Sequence, residues 1–254
     1  MDQFLWVEEY RPRDIESCVL PKTLKTSLQS FVDKETLPNL ILSGGPGVGK
    51  TTAAKAMLEQ IGATYMFING SEESGIDVLR TKIKNFASTV SLDGGKKYLI
   101  LDEADYLNPQ STQPALRGFI EEFSKNCRFI MTCNFENKII APLHSRCSKY
   151  TFNFDKKTMT SLCGGFMQRL QRILQEEGVE FDKNVVANVI MKHAPDWRRV
   201  LNESQKGSMS GTLNVPNSVS VDISDTYSQL FGTIRDKNFK KMRTWVVNNI
   251  DVEP

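Results

Sequence analysis

The segment Gly44-Gly45-Pro46-Gly47-Val48-Gly49-Lys50-Thr51 constrains this chain more than any other. It fits the pattern G-x-x-x-x-G-K-[ST]. An apolar run, Asn39-Leu-Ile-Leu-Ser43, precedes it, and a helical pattern from Thr51 to Ile61 follows. The pattern carries its meaning only in that strand–loop–helix context. Glycines let backbone N–H groups turn inward around phosphate oxygens. The helix N-terminus adds partial positive charge. Lys50 is placed for the β- and γ-phosphates and Thr51 for Mg²⁺.

The same alternation continues. Tyr65–Ile68, Lys97–Leu101 and Cys127–Cys133 read as further buried strands, and 149–154 as a fifth. Helical patterns cover Ile76–Thr89 and Gln113–Ser124. Continuous apolar strands separated by helices predict a parallel sheet covered on both faces. After Phe154 the pattern changes. Met159–Glu177 and Asn184–Lys192 read as helices, and a third follows Asp196. The stretch Ser204–Asn217, rich in Ser, Gly and Asn, reads as a linker. Two amphipathic patterns, Ile223–Ile234 and Phe239–Asn249, close the chain. The expected division is 1–154 nucleotide-binding α/β domain, 155–207 small helical domain, 208–219 linker and 220–254 C-terminal helices.

Composition excludes several classes. Of 254 residues, 40% are hydrophobic and 24% charged, so the chain can bury a core and is not wholly disordered. The net charge of +2 does not mark a nucleic-acid binder, so any such surface must come from local clustering. No stretch reaches the ~18 apolar residues of a bilayer span. The first ten residues lack the basic and apolar regions of a secretory signal. Cys18, Cys127, Cys133, Cys147 and Cys163 show no C-x-x-C spacing, which argues against zinc and disulfides and for a reducing, cytoplasmic compartment. His144 and His193 have no paired ligands nearby.

Further motifs gather around the loop. In Leu99-Ile-Leu-Asp102-Glu103-Ala104-Asp105, acids end a buried strand, where they are costly without a cationic partner. Asp102 suits the Mg²⁺ shell and Glu103 suits the attacking water. The same four letters, Asp-Glu-Ala-Asp, also occur in superfamily-2 helicases, whose other motifs do not follow here. Asn134 ends the next apolar strand. It is either a turn residue or a ligand for γ-phosphate or water at the sheet's carboxyl edge. Arg146, in Ser145-Arg146-Cys147, is either a solvated surface arginine or a finger for a neighbouring subunit's nucleotide. Asp196 caps a helix, and Arg198 in its first turn opposes the favoured dipole direction, which favours an anionic partner. Arg80, Lys82 and Lys84 form either a solvated helix face or a phosphate-backbone contact.

Together and in order, Trp6-Val-Glu-Glu-Tyr-Arg-Pro12, the glycine loop, Asp102–Asp105, Ser145–Cys147 and Asp196-Trp-Arg-Arg199 closely resemble AAA+ sliding-clamp loaders. The resemblance is to replication factor C small subunits and, more closely, to the large subunit of T4-like phage clamp loaders. Asn69-Gly-Ser71 and Ile83–Ser88 also resemble the phage subunit. The likeness runs from about residue 5 to 207. It implies an AAA+ P-loop NTPase fold with a five-stranded parallel sheet, a helical lid at 155–207 and part of a helical collar at 220–254. It implies a DNA-stimulated ATPase that uses ATP and Mg²⁺ to load a polymerase clamp on primer–template DNA. The implied partners are the clamp and other loader subunits of a hetero-pentamer.

By the same resemblance, Val7, Glu8, Glu9, Tyr10 and Val19 would line the adenine pocket. Gly45, Gly47, Val48, Gly49, Lys50, Thr51, Thr52 and Ala53 would form the phosphate turn. Asp102 and Glu103 would be Walker B, Asn134 sensor 1, Arg198 sensor 2 and Arg146 the finger acting in trans. Arg80, Lys82 and Lys84 would be candidates for DNA. Gly118 departs from the family, where many members carry a second arginine. The competing expectations are another AAA+ remodeller, such as a helicase loader or Holliday-junction motor, and a non-hydrolysing structural subunit. Intact Lys50, Thr51, Asp102, Glu103 and Arg198 disfavour the latter.

Overall fold

The computed structural model describes residues 4–73, 75–89 and 95–214, with Arg235, Phe239, Lys241 and Arg243 beyond them. Met1–Asn214 form one unit and Val215–Pro254 another. The collar helices expected within 220–254 lie outside the described residues, apart from those four, which are helical and exposed.

Five parallel strands make one sheet: β1 Leu40–Ser43, β2 Tyr65–Asn69, β3 Lys97–Asp102, β4 Cys127–Cys133 and β5 Ser148–Thr151. Their spatial order is β2-β3-β4-β1-β5. Ile130 lies beside Leu40 on one side and Ile100 on the other. The three central strands are almost wholly buried, while β5 is largely exposed. This is why the central strands read as unbroken apolar runs and β5 does not.

Successive side chains point to opposite faces of a strand. Leu40, Leu42, Tyr98, Ile100 and Ile130 therefore pack in one layer. Ile41, Leu99, Leu101, Phe129 and Met131 pack in the other. Helices α2 (Lys22–Asp33) and α3 (Lys50–Gln60) cover the first face through Leu24, Leu28, Val32, Ala53, Met57 and Leu58. Helices α4 (Ile76–Ser88) and α5 (Thr112–Glu122) cover the second through Leu79, Ile83, Ala87, Leu116, Phe119 and Ile120. Two single turns complete this part, α1 (Trp6–Glu9) and α6 (Ala141–His144).

The α2 helix is absent from the sequence reading, which begins its elements at residue 39. Its signal is the i, i+4 spacing of Leu24, Leu28 and Val32. Leu28 is fully buried in the first layer. Leu28→Ala is expected to lower unfolding free energy by about 3 kcal/mol, read as a shift in urea midpoint. A loss under about 1 kcal/mol would show that α2 is not part of the core.

Three helices follow the sheet: α7 Lys156–Glu176, α8 Lys183–His193 and α9 Trp197–Gly207. Each starts on an aspartate. The side chains of Asp155, Asp182 and Asp196 accept from the N–H groups of Thr158, Asn184 and Arg199. An aspartate at this position satisfies an orphan N–H and complements the dipole. The Asp155 cap starts α7 a turn earlier than apolar spacing alone predicts.

Ser204–Gly207, expected as the start of a linker, instead complete α9. The buried hydroxyls of Ser204 and Ser208 donate to the Val200 and Ser204 carbonyls, at 2.8 and 2.7 Å. Serines satisfied inside a helix read as loop by composition alone. Beyond α9, Leu213 is buried, and its N–H donates to the Glu180 carbonyl at 2.8 Å. Residues 211–213 are therefore fastened to the turn between α7 and α8. All five cysteines are free thiols. Among the described residues, no helix is long and apolar enough to cross a membrane.

Candidate nucleotide site

The carboxyl ends of β1, β3 and β4 lie level, with Ser43 beside Cys133 and Leu101 beside Met131. Each of these strands delivers a polar group to the same edge: the glycine loop, Asp102 and Asn134. In open α/β sheets this edge is where ligands bind. A cleft lies there, lined by Val7, Tyr10, Val19, Gly47–Thr52, Asp102, Glu103, Thr132, Asn134 and Arg198, among others. It encloses about 1020 Å³, part of it open to solvent. Its mix of apolar walls and a few convergent polar groups suits a small-molecule cofactor.

Lys50 opens α3 and is buried. Its ammonium donates to the Gly44 and Gly45 carbonyls at 2.8 and 2.6 Å and to Asn134 Oδ1 at 2.8 Å. Three N–H donors thus meet three acceptors. Burial pushes the Lys50 pKa down, and Asp102 and Asp105 work against that shift. Cys133, beside it, is pushed up to about 12 by burial and stays a neutral thiol.

Asp102 Oδ1 accepts from Thr51 Oγ1 at 2.5 Å and from Thr132 Oγ1 at 2.6 Å. Thr132 Oγ1 also accepts the Glu103 N–H at 3.1 Å. Glu103 has φ 52°, in the left-handed region that side chains disfavour. A Cβ on Gly70 would lie 2.8 Å from the Glu103 carbonyl, so only glycine leaves room for this turn. Asp105 is buried, and its Oδ2 accepts the N–H of Phe135, next to Asn134, at 3.2 Å. Among the described residues, no group of three or more His, Cys, Asp or Glu side chains could hold a metal by itself.

The helical part closes the cleft from the other side. Phe166 on α7 stacks on Trp197 at the start of α9, with centroids 4.6 Å apart. The Trp197 N–H donates to the Gly47 carbonyl at 3.1 Å. Gly47 has φ 68°, and a Cβ there would lie 1.7 Å from Asp196 Oδ1, the oxygen that caps α9. Gly47→Ala is therefore expected to push α9 off the loop. Backbone strain and a lost cap together predict a loss of about 2 kcal/mol, with weaker nucleotide binding. Thermal melting and nucleotide titration check this; unchanged values in both would contradict the docking geometry.

The structure brings most of the expected residues together, but not all. Glu8 and Glu9 do not line the cleft; Glu8 pairs with Arg11 on the surface. Gly45 contributes its carbonyl to Lys50, and Ala53 is fully buried behind the loop. Arg80, Lys82 and Lys84 are exposed on α4, flanking the buried Leu79 and Ile83 from both sides. Arg80 lies 4.0 Å from Asp77, and Lys82 pairs with Glu73. Gly118 is on the open surface of α5.

Arg146 is also outside the cleft. With Asn39, Arg128 and Ser148 it lines a second cavity, at the amino ends of β1, β4 and β5. Strands of four to seven residues separate it from the cleft, roughly 13–23 Å at the usual rise. Its Nε donates to Glu121 Oε1 at 2.8 Å and its Nη1 to the Pro142 carbonyl at 2.8 Å. The arginine holds the exposed Glu121 carboxyl below its usual range.

Thr132, Phe166, Arg169 and Trp197 also line the cleft, beyond the residues expected from the sequence. A threonine inside the apolar run Phe129–Cys133 was the available signal for Thr132. Arg169 had none, because its partners lie over 150 residues away.

Fold and site together define a P-loop nucleotide-binding ATPase. Residues 40–154 match the ATPase family associated with various cellular activities (AAA). The chain is 36% identical to the sliding-clamp-loader large subunits of Escherichia phage RB69 and Enterobacteria phage T4, in each case over 93% of this chain and 75% of the relative. It is 34% identical to the replication factor C small subunit of Methanococcus vannielii, over 98% of this chain and 76% of the relative. A solved structure of a Thermotoga maritima RuvB point mutant shares the fold, with TM-score 0.61 at 16% identity, over 81% of this chain and 69% of that one. The chain belongs to the AAA+ sliding-clamp-loader subunits and is an ATPase of that family.

Proposed function

We propose that this chain hydrolyses ATP to open a polymerase sliding clamp and load it on primer–template DNA, as one subunit of a hetero-pentamer with other loader subunits. The observation that carries the reading is the position of Arg146. The cleft holds loop, acids and Asn134, with Arg11, Arg169 and Arg198 along its wall, while Arg146 is not among its lining residues. Arg146 stands at the opposite edge of the same sheet, paired with Glu121; acting in trans, it would enter a neighbouring subunit's cleft. A site completed in trans fires only after assembly, so clamp and DNA can gate it.

The roles follow from the chemistry. Residues 1–154 bind the nucleotide and 155–207 act as the lid. Lys50 exchanges its glycine carbonyls for β- and γ-phosphate oxygens. Val7, Tyr10 and Val19 bound the base. Thr51 and Asp102, a hydroxyl and a carboxylate hydrogen-bonded to each other, would hold Mg²⁺, which would supply charge neutralisation at the phosphates. Glu103 takes a proton from water as the water oxygen attacks the γ-phosphorus, and the bond to the β–γ bridging oxygen breaks, giving ADP and inorganic phosphate. Asn134 orients water and γ-phosphate. Arg198 reports the γ-phosphate to the lid through α9. Arg146 stabilises the charge of the neighbour's transition state. Arg80, Lys82 and Lys84 face DNA phosphates, in the cytoplasm of the cell where replication runs.

The test is steady-state ATP hydrolysis by the assembled loader, with primed DNA, with cognate clamp, and with both. The expected result is greater stimulation by both together than by either alone. Equal rates in all conditions would contradict clamp loading and favour another AAA+ remodeller.

A further inference from the structure

The segment from Phe4 to Cys18 contains one helical turn and no strand. Turns within the segment satisfy several of its backbone N–H groups, and the remaining polar groups need partners outside it. Most of those outside partners come from the helical part. Gln205 on α9 donates to the Phe4 carbonyl at 2.5 Å and accepts the Trp6 N–H at 3.2 Å. The Tyr10 hydroxyl donates to Glu177 at the end of α7, at 2.7 Å. Arg169 on α7 donates Nη1 to the Ser17 carbonyl at 2.7 Å and Nη2 to the Tyr10 carbonyl. Toward its other end, Ile15 is fully buried in the sheet's first core layer, and its N–H donates to Gln60 on α3 at 3.2 Å.

One guanidinium therefore grips both ends of the stretch 10–17. It also walls the cleft, beside Tyr10, Val19 and Phe166. A planar fork with fixed donors suits this task, whereas a lysine ammonium is a single point on a flexible stem. The glycine loop fixes the phosphates. The strap bounds another part of the same cleft.

We infer that Arg169 is a positioning residue that sets base selectivity, by holding the Tyr10–Ser17 strap against α7 where the nucleotide base sits. The inference rests on the nucleotide reading of the cleft. Adenine and guanine have nearly the same shape and differ in edge donors and acceptors. Discrimination between them needs hydrogen-bonding groups held in fixed positions. A displacement of about 1 Å is enough to lose such an advantage. The glycine loop and Lys50 that would hold the triphosphate belong to the β1–α3 connection, not to the strap.

The experiment measures Kd for ATP, GTP and inorganic tripolyphosphate, each with Mg²⁺, on the assembled loader. Wild type is compared with Arg169→Gln and Arg169→Lys. Wild type is expected to prefer ATP to GTP. Arg169→Gln is expected to weaken ATP about tenfold or more, to bring the ATP:GTP ratio toward one, and to leave tripolyphosphate within about twofold. Arg169→Lys, reaching one carbonyl only, should fall between. An unchanged ATP:GTP ratio, or an equal loss for all three ligands, would overturn the proposal. If Arg169→Gln fails to fold, Arg169→Lys carries the same comparison. Wild type binding ATP no better than tripolyphosphate would instead overturn the nucleotide reading itself.

Discussion

Arg146→Ala in the assembled loader is expected to leave ATP binding within about twofold of wild type and to lower DNA- and clamp-stimulated hydrolysis by about 10³-fold or more. The two halves of this result have separate causes. Binding is untouched because Arg146 sits at the amino ends of β1, β4 and β5, away from its own subunit's cleft. Turnover falls because the neighbour's transition state loses the cation added in trans. The fold should tolerate the change, since the carboxylate left behind, Glu121, is already exposed. Nucleotide titration and steady-state hydrolysis on the same preparation separate the two halves. Equal loss of binding and turnover would mean that Arg146 supports the fold or its own site. Unchanged turnover would remove the finger assignment.

Glu103→Gln carries the second large effect. The amide keeps the shape and the backbone but removes the base, so turnover should fall about 10²–10⁴-fold while ATP remains bound. The local structure argues that Glu103 is placed at some expense. Its left-handed backbone costs on the order of 1–3 kcal/mol. Thr132 donates to Asp102 and accepts from the Glu103 N–H, and Gly70 leaves space for the carbonyl. Strain held by surrounding contacts is a feature of functional turns. Single-turnover hydrolysis and nucleotide retention on filters check the expectation. Turnover within a few-fold of wild type would move the base role to another group.

How much of this was legible in the sequence depended on the range of the interaction. The P-loop, the acids after β3 and Asn134 after β4 could be read because motif and strand adjoin in sequence. The parallel sheet could be read because β1, β3 and β4 are buried on both faces and lack polar alternation. Of the three capping aspartates, Asp196 was legible from its motif, while Asp155 and Asp182 were not. Asp155 starts α7 before its apolar spacing begins. Ser204 and Ser208 look like linker residues until their hydroxyls are seen to bond within the chain. Glu8 and Glu9 stand in the segment the family resemblance assigned to the base, yet their side chains point elsewhere. The docking of Asp196 against Gly47 and the grip of Arg169 on Tyr10 and Ser17 join residues about 150 apart. No spacing rule reaches such pairs; packing decides them.

The central claim is that the catalytic site is shared between two subunits. Co-assembling the two inactive variants tests it most directly. Where two copies of this chain are neighbours in a loader, mixing Arg146→Ala and Glu103→Gln subunits creates interfaces at which the intact Glu103 of one variant meets the intact Arg146 of the other. The account predicts that these mixed loaders regain hydrolysis stimulated by primed DNA and clamp, while each variant alone stays inactive. Mixed loaders as inactive as their parents, with co-assembly confirmed by mass, would contradict it.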